Sequence, residues 1–85
     1  MLKVDFLTPS GPIFSGEATA VQAPGAEGMF TVLKNHAPFI STLQSGKVKI
    51  VAADGEKYYE IAGGVAEVFD NRITLLAENA KPVVG

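Results

Sequence analysis

Apolar and polar residues alternate with a period of two along most of the chain, which predicts strands rather than helices. The clearest case is the start, where Leu2, Val4 and Phe6 alternate with two charged residues. This segment predicts a first strand with one buried face. Since no longer segment shows a convincing 3.6-residue apolar period, we expect almost no helix.

Clusters of Gly, Pro, Asn and Asp interrupt the alternation at regular spacing and indicate turns. They divide the chain into roughly eight to ten short strands, an all-β pattern typical of a sandwich or a flattened barrel. Residues 13–23 are long enough for one long strand or two short ones, and Gly16 within them suggests a bulge or bend. Residues 29–33 and 39–43 predict two further short strands.

Asp54-Gly55 predicts a hairpin, because this dipeptide favours a two-residue type I′ turn. Folding about it places Lys49 opposite Glu60 on a polar face, a pair that contributes about 0.2–1 kcal/mol. The other face of this hairpin would be apolar and would carry Val48, Ile50, Tyr59 and Ile61.

Asp70-Asn71 predicts a second hairpin. The expected cross-strand pairs are Val68 with Ile73, Ala66 with Leu75, and Glu67 with Thr74. Between the two hairpins, Gly63-Gly64 predicts a bend, a bulge or the close approach of another backbone.

Composition narrows the function classes. The chain has 85 residues, 47% of them hydrophobic and 19% charged, which fits one small globular domain. The formal net charge of −2 does not suggest a nucleic-acid partner. There is no Cys and one His, so we expect no disulfide, no metal site and no cofactor.

The sequence shows no segment that predicts membrane insertion. The longest unbroken aliphatic runs have four residues, such as Ile50-Val51-Ala52-Ala53, against the roughly 20 needed to span a bilayer. The first five residues do not resemble a signal peptide. We therefore expect a soluble, cytoplasmic chain.

Candidate catalytic groups are few. His36 is the one strong acid–base candidate, but no nucleophile-elbow pattern surrounds any Ser, so a loop histidine that bonds a turn or touches a partner is favoured over a catalytic one. Gly25-Ala26-Glu27-Gly28 has the spacing of a nucleic-acid clamp loop, but it lies between predicted strands and is better explained as a wide turn. Lys47 and Lys49, with Tyr58 on the facing strand, indicate a solvated face rather than an anion site.

Met29-Phe30 follows this glycine loop directly. Large apolar residues in such a place are favoured as core, with a partner-contacting loop tip as the alternative. From these patterns alone, a binding or structural module is favoured over an enzyme.

Four stretches together resemble the N-terminal β-sandwich domain of the epsilon subunit of F-type ATP synthase. They are Phe14-Ser15-Gly16-Glu17; Ala23-Pro24-Gly25-Ala26-Glu27-Gly28; His36-Ala37-Pro38 with Leu43-Gln44-Ser45-Gly46 and Val48-Lys49-Ile50; and Gly63-Gly64-Val65-Ala66-Glu67-Val68 with Asn71-Arg72-Ile73-Thr74-Leu75-Leu76-Ala77-Glu78. Their order and spacing cover nearly the whole chain. The resemblance implies an all-β, flattened sandwich of two roughly five-stranded, mostly antiparallel sheets.

The resemblance also implies a function. A subunit of this family is a non-catalytic part of the rotor that binds the gamma subunit and rests on the polar loops of the c-ring. It couples rotation driven by proton flow to ATP synthesis. It would be a monomer when isolated and one copy per complex, peripheral to the cytoplasmic face of the plasma membrane, or to the thylakoid membrane in a photosynthetic organism. The alternative is a free-standing ligand-binding or adaptor sandwich with an aromatic-lined pocket.

By position in the family, partner contacts are expected at two places. The end toward the c-ring would carry Glu27, Met29, Lys34, Asn35 and His36. The side toward gamma would include Ser41. Many members have an acidic residue where this chain has Met29, so a charged contact with the ring would fall to Glu27 or be replaced by an apolar one.

A second departure concerns the end of the chain. Most family members continue into two C-terminal helices that can inhibit ATP hydrolysis. Here Pro82 and two β-branched residues do not favour a helix, so we expect a sandwich domain at 1–80 and a short tail at 81–85. Natural shortness is favoured over truncation of a longer chain, and we expect the subunit to lack helix-mediated inhibition.

Overall fold

The computed structural model describes residues 1–84, which form nine strands and no helix. The strands are β1 (Leu2–Thr8), β2 (Gly11–Gly25), β3 (Gly28–Leu33), β4 (Phe39–Leu43), β5 (Gly46–Ala52), β6 (Gly55–Ile61), β7 (Gly64–Phe69), β8 (Arg72–Ala77) and β9 (Ala80–Val83). All pairings are antiparallel except the parallel pair β1–β8. The all-β, mostly antiparallel prediction is confirmed.

The strands form two layers that share β2. Its N-terminal part pairs with β1, and its C-terminal part pairs with β3 and β5. We call β4-β7-β8-β1-β2 the first layer and β3-β2-β5-β6-β9 the second layer. Each layer has five strands only when β2 is counted in both. The expectation of two separate sheets is therefore corrected, because hydrogen bonding is continuous through all nine strands of residues 1–84.

β2 is irregular at two places, and neither is Gly16, the residue that suggested a bulge. Against β1, the register shifts between the pairs Phe6–Phe14 and Leu7–Pro12. Gly16 pairs regularly with Val4. The register of β2 against β5 also shifts, between Ala18 and Ala20, where the strand passes from one layer to the other. A strand of 15 residues needs such a break, because it leaves the side chains of each half facing the same core.

The core lies between the two layers. Leu2, Val4 and Phe6 are fully buried, as their alternation predicted. Phe6 from the first layer meets Tyr59 from the second, with ring centroids 5.2 Å apart and nearly perpendicular planes. This edge-to-face contact ties the layers together. Among residues 1–84, no polar or charged residue is buried, so hydrophobic packing and strand pairing hold the fold.

The hairpin of β5 and β6 has the predicted faces but a different register. Ala52 pairs with Gly55, so the two turn residues are Ala53 and Asp54, and Lys49 lies opposite Tyr58 rather than Glu60. The type I′ prediction is wrong, because positive φ occurs at Gly55 (128°) and not at Asp54. The partner shifts by two residues, so the four apolar side chains remain on the buried face: Val48, Ile50, Tyr59 and Ile61.

The hairpin of β7 and β8 is confirmed in full. Asp70 and Asn71 have φ of 53° and 60°, as a type I′ turn requires, and all three predicted pairs are present. Before it, Gly64 lies so close to β8 that a Cβ atom there would collide with the carbonyl oxygen of Leu76. Of the alternatives for the glycine pair, close backbone approach is therefore the one observed.

The last strand lies partly within the expected tail. Ala80–Val83 forms β9, which pairs with β6 at the edge of the second layer. Residues 81–83 of the segment predicted as a tail therefore belong to the sheet. Gly85, the last residue of that predicted tail, lies outside the described residues.

Candidate functional site

A tight turn joins β2 to β3 at one end of the sandwich. Gly25 pairs with Gly28, which leaves Ala26 and Glu27 as the two turn residues. The N–H of Ala26 donates to the carbonyl oxygen of Thr42 at 3.0 Å and so holds the turn against β4. Glu27 is exposed. The turn joins strands, as predicted, but it is tight rather than wide, and it lacks the flanking helices of a nucleic-acid clamp loop.

The two residues after this turn have different environments. Phe30 is half-buried against the core and contacts Phe39, with ring centroids 5.0 Å apart. Met29 points the other way and is 54% exposed. The prediction of core therefore holds for Phe30 and is wrong for Met29, because neighbouring side chains of a strand alternate between faces.

An open groove runs between the edge strands β3 and β4. Ser41 is half-buried there, and its hydroxyl donates to the carbonyl oxygen of Thr42 at 2.8 Å. The groove side chains that matter here are Met29, Phe30, Phe39, Ile40 and Ser41. Four of these five side chains are apolar, but Glu27 and Thr42 also line the groove, so its surface is mixed.

Residues 34–38 form a loop that joins β3 to β4 at the opposite end of the sandwich. Lys34 is exposed and His36 is half-buried. The backbone N–H of His36 donates to the carbonyl oxygen of Leu33 at 3.1 Å, and its Nδ1 lies 2.7 Å from the carbonyl oxygen of Ala37. Within residues 1–84, no hydroxyl or carboxylate bonds this ring, so the structure offers His36 no nucleophile to activate.

A pair of asparagines fixes this loop, and sequence reasoning missed it. The N–H of Asn35 donates to Oδ1 of Asn71 at 2.6 Å, and Nδ2 of Asn71 donates to Oδ1 of Asn35 at 3.3 Å. We call this contact the asparagine clamp. Both residues have positive φ, 67° and 60°, which Asn tolerates better than most residues. That tolerance is the one signal in the sequence that could have singled them out.

The residues predicted to face the c-ring therefore do not form one site. Glu27 and Met29 lie at the end that carries the β2–β3 turn, whereas Lys34, Asn35 and His36 lie at the other end of β3. Lys34 is five positions after Met29, which is roughly 17 Å along an extended strand. One end of the sandwich cannot present both groups.

The outer face of the first layer carries an apolar patch that the sequence analysis did not single out. We call it the first-layer patch; its members are Ile40, Val65, Phe69 and Leu76, which are 67%, 40%, 65% and 50% exposed. Val65 lies directly opposite Leu76 on the neighbouring strand. The signal in the sequence was the presence of large apolar residues at positions that the alternation assigns to solvent.

The outer face of the second layer carries a charged cluster on β5 and β6. Lys49 Nζ lies 3.5 Å from a carboxylate oxygen of Glu56, and the Tyr58 hydroxyl donates to the same carboxylate at 2.6 Å. The hydrogen bond from Tyr58, followed by the charge of Lys49, lowers the pKa of Glu56. The same hydrogen bond raises the pKa of Tyr58. The Nζ atoms of Lys47 and Lys49 also lie 5.7 and 5.9 Å from the Tyr58 ring centroid. The charged and polar groups of this solvated face therefore interact with one another.

Residues 1–84 contain no group of three or more His, Cys, Asp or Glu side chains placed to hold a metal ion. No helix in the same stretch is long and apolar enough to cross a membrane.

Comparison with known proteins identifies relatives over the whole sandwich. The family model described as "ATP synthase, Delta/Epsilon chain, beta-sandwich domain" matches residues 1–83. The chain is 49% identical over 82 residues to the ATP synthase epsilon chain of Caulobacter vibrioides, with 94% of this chain and 95% of that protein covered. It is 45% identical over 78 residues to that of Chlorobium limicola, covering 91% and 89%. For the 42% identical epsilon chain of a Jannaschia species, the match covers 96% of this chain and 62% of that protein.

Solved structures agree on the fold. A chain of the Euglena gracilis mitochondrial ATP synthase F1/c-ring structure superposes with a TM-score of 0.88 at 24% identity, covering 95% of this chain and 52% of that one. A chain of the Tetrahymena thermophila mitochondrial ATP synthase central stalk and c-ring structure gives 0.80 at 17% identity, covering 94% and 65%. This chain thus spans about half to two thirds of these structural relatives. With the family match over residues 1–83, it belongs to the ATP synthase delta/epsilon chain β-sandwich domain family.

Proposed function

We propose that this chain is a non-catalytic, epsilon-type subunit of the central stalk of a proton-translocating F-type ATP synthase. It binds the gamma subunit, rests on the c-ring and couples rotation to ATP synthesis. It is a monomer when isolated, one copy joins each complex, and the complex keeps it at the cytoplasmic face of the membrane. The observation that carries the proposal, beyond family membership, is the first-layer patch, in which four large apolar side chains are each at least 40% exposed on one face of the sandwich.

The gamma side of the proposal combines the first-layer patch with the neighbouring groove. Ser41 lies on β4, the edge strand of the first layer, and Ile40 beside it belongs to both the patch and the groove. The two surfaces are therefore continuous. Large exposed apolar side chains flanked by charged residues such as Glu67 and Arg72 suit a stable protein contact better than the charged cluster on β5 and β6 of the second layer does.

The ring side of the proposal is the β2–β3 turn. Glu27 and Met29 are exposed there, and the resemblance places the family's acidic residue at the position of Met29. Lys34, Asn35 and His36 lie at the other end of β3, so their contact with the ring is a separate proposal. It requires the opposite end of the sandwich to face the membrane.

Site-directed photo-crosslinking in the assembled enzyme tests these assignments. A photoreactive residue is placed singly at Glu27, Asn35 or Ser41, with Asp54 in the β5–β6 turn as the control. We expect products with c subunits from Glu27, products with gamma from Ser41, and neither from Asp54. Ring products from Asn35 and none from Glu27 would reverse the orientation. The absence of products with either subunit from all three test positions would contradict the proposed function.

A further inference from the structure

The edge of β3 differs from the other edge of its layer. β9 closes the opposite edge and carries Lys81 and Pro82, two residue types that discourage further strand pairing. β3, which is Gly28–Leu33, contains no charged residue and no proline. It is therefore an edge on which another strand can pair.

The direction of the β3 backbone groups follows from β2. Pro24 lies opposite Met29, lacks an N–H, and its carbonyl oxygen accepts from the N–H of Gln44. This pair is therefore not hydrogen-bonded across β2 and β3, and by alternation neither is the pair of Gln22 with Thr31. The N–H and C=O groups of Met29 and Thr31 thus point away from β2, toward the open edge.

These edge groups are unpaired within residues 1–84. Along this edge, the one backbone bond beyond the β2 ladder joins the N–H of His36 to the carbonyl oxygen of Leu33. The N–H groups of Met29, Thr31 and Leu33 and the carbonyls of Met29 and Thr31 remain available. Five backbone groups in register offer the main-chain bonds of β-strand addition.

The side chains next to this edge suit an added strand. Met29 and Leu33 are 54% and 55% exposed on the outer face of the second layer. Phe30 and Phe39 line the groove together with Met29. Because side chains of a strand alternate between faces, every second side chain of an added strand would lie over this groove.

We infer that the gamma subunit contributes an extended segment that pairs antiparallel with β3; this inference rests on the proposed function and specifies how the partner is held. The edge is continuous with the Ser41 side, because the groove joins β3 to β4. Glu27 precedes β3 and Lys34 follows it. An antiparallel segment begins beside Lys34, so an acidic residue near its start complements that charge, while Glu27 at the far end stays free for the ring.

The test compares two substitutions at one residue. Thr31→Pro removes the outward N–H, and proline is tolerated where the N–H of an edge strand faces solvent. Thr31→Ala removes the side chain and keeps the N–H, so it is the matched control. Binding to the gamma-containing catalytic head lacking its own epsilon is measured for the wild type and both variants. We expect Thr31→Pro to bind at least about tenfold more weakly than Thr31→Ala, because a hydrogen bond is lost and a partner carbonyl is left unpaired.

A second measurement does not depend on a proline variant folding. Amide exchange of the wild-type chain is followed by NMR before and after binding the head. We expect Met29, Thr31 and Leu33 to become protected, in alternation with residues already protected by β2. Equal affinity of the two variants together with unchanged exchange would overturn the edge pairing while leaving the proposed function intact. The same amides could instead become protected when two copies of this chain form a dimer that does not bind the head. In that case the partner of β3 is a second copy of the chain and not gamma. Failure of the wild type to bind the head would overturn both proposals.

Discussion

Met29 shows how a single residue can face solvent although its type suggests core. It follows Gly28 on β3, and the alternation that buries Phe30 leaves Met29 in water. The sequence could place both residues on a strand. The sequence could not predict which of the two side chains faces solvent, because that depends on which residues form the β2–β3 turn.

Met29→Asp should alter docking on the c-ring without unfolding the domain. The new carboxylate remains in solvent, so we expect the free energy of unfolding to change by no more than about 0.5 kcal/mol. ATP-driven proton pumping by membranes carrying the variant measures coupling, with Met29→Leu as the control that keeps the side chain apolar. Equal coupling in the wild type and the Asp variant would count against a ring contact at this residue.

Asn71→Gly tests the asparagine clamp. Glycine accepts the positive φ of the turn and deletes both side-chain hydrogen bonds to Asn35, so we expect a loss of about 1 kcal/mol in unfolding free energy and faster amide exchange at Asn35. Asp70→Gly is the control, since it changes the neighbouring residue of the same turn without touching the clamp. Identical effects of the two substitutions would show that the turn, and not the clamp, is responsible.

Glu56 should confer a pH dependence on stability. Tyr58 and Lys49 lower its pKa in the folded state from the ordinary value of 4.5. The stabilisation is therefore present above that ordinary value and is lost as the pH falls through the lower, folded-state pKa. The raised pKa of Tyr58 acts at the other limit, where stabilisation is lost above about pH 10. Denaturation of the wild type and of Glu56→Gln between pH 3 and 7 measures the acidic side. The variant should lose less stability on acidification; parallel curves would contradict the assignment.

Turn chemistry determined how well each hairpin could be predicted. Asp70 and Asn71 both adopt positive φ, so the dipeptide read as a type I′ turn gave the correct register. In the β5–β6 hairpin, the glycine lies after the turn rather than within it, and the register shifts by two residues. The buried face survived the error, because only an odd shift exchanges the faces of a strand.

Gly64→Ala should be severely destabilising at the level of β7 and β8. A Cβ atom there would collide with the Leu76 carbonyl, and the rigid strand pair cannot move away. We expect a loss of at least about 2 kcal/mol beyond that of Gly55→Ala. Gly55 is the matched control because it also has positive φ, 128°, but nothing lies within 4 Å of its Cβ position. Chemical denaturation measures the difference, and equal losses would refute the close-approach explanation.

At the scale of the whole molecule, the two outer faces differ. The first layer exposes the apolar patch, whereas the second presents the cluster of Lys49, Glu56 and Tyr58. The alternation predicted the core well because it is a local property. The patch, the groove and the asparagine clamp combine residues from distant parts of the chain; the clamp alone joins residues 36 positions apart. Their assembly depends on strand order, which periodicity does not specify.

The most direct test of the central claim is to mix this chain with the gamma-containing catalytic head of the same organism, stripped of its own epsilon, and to weigh the products by native mass spectrometry. We expect one added copy per head. We also expect Phe69→Lys to lower that occupancy, because it places a charge in the first-layer patch at an exposed position. Lys57→Ala on the second layer should leave the occupancy unchanged. A head that gains no copy at tens of micromolar chain, while the chain itself is folded, would contradict the claim that this sandwich is a rotor subunit.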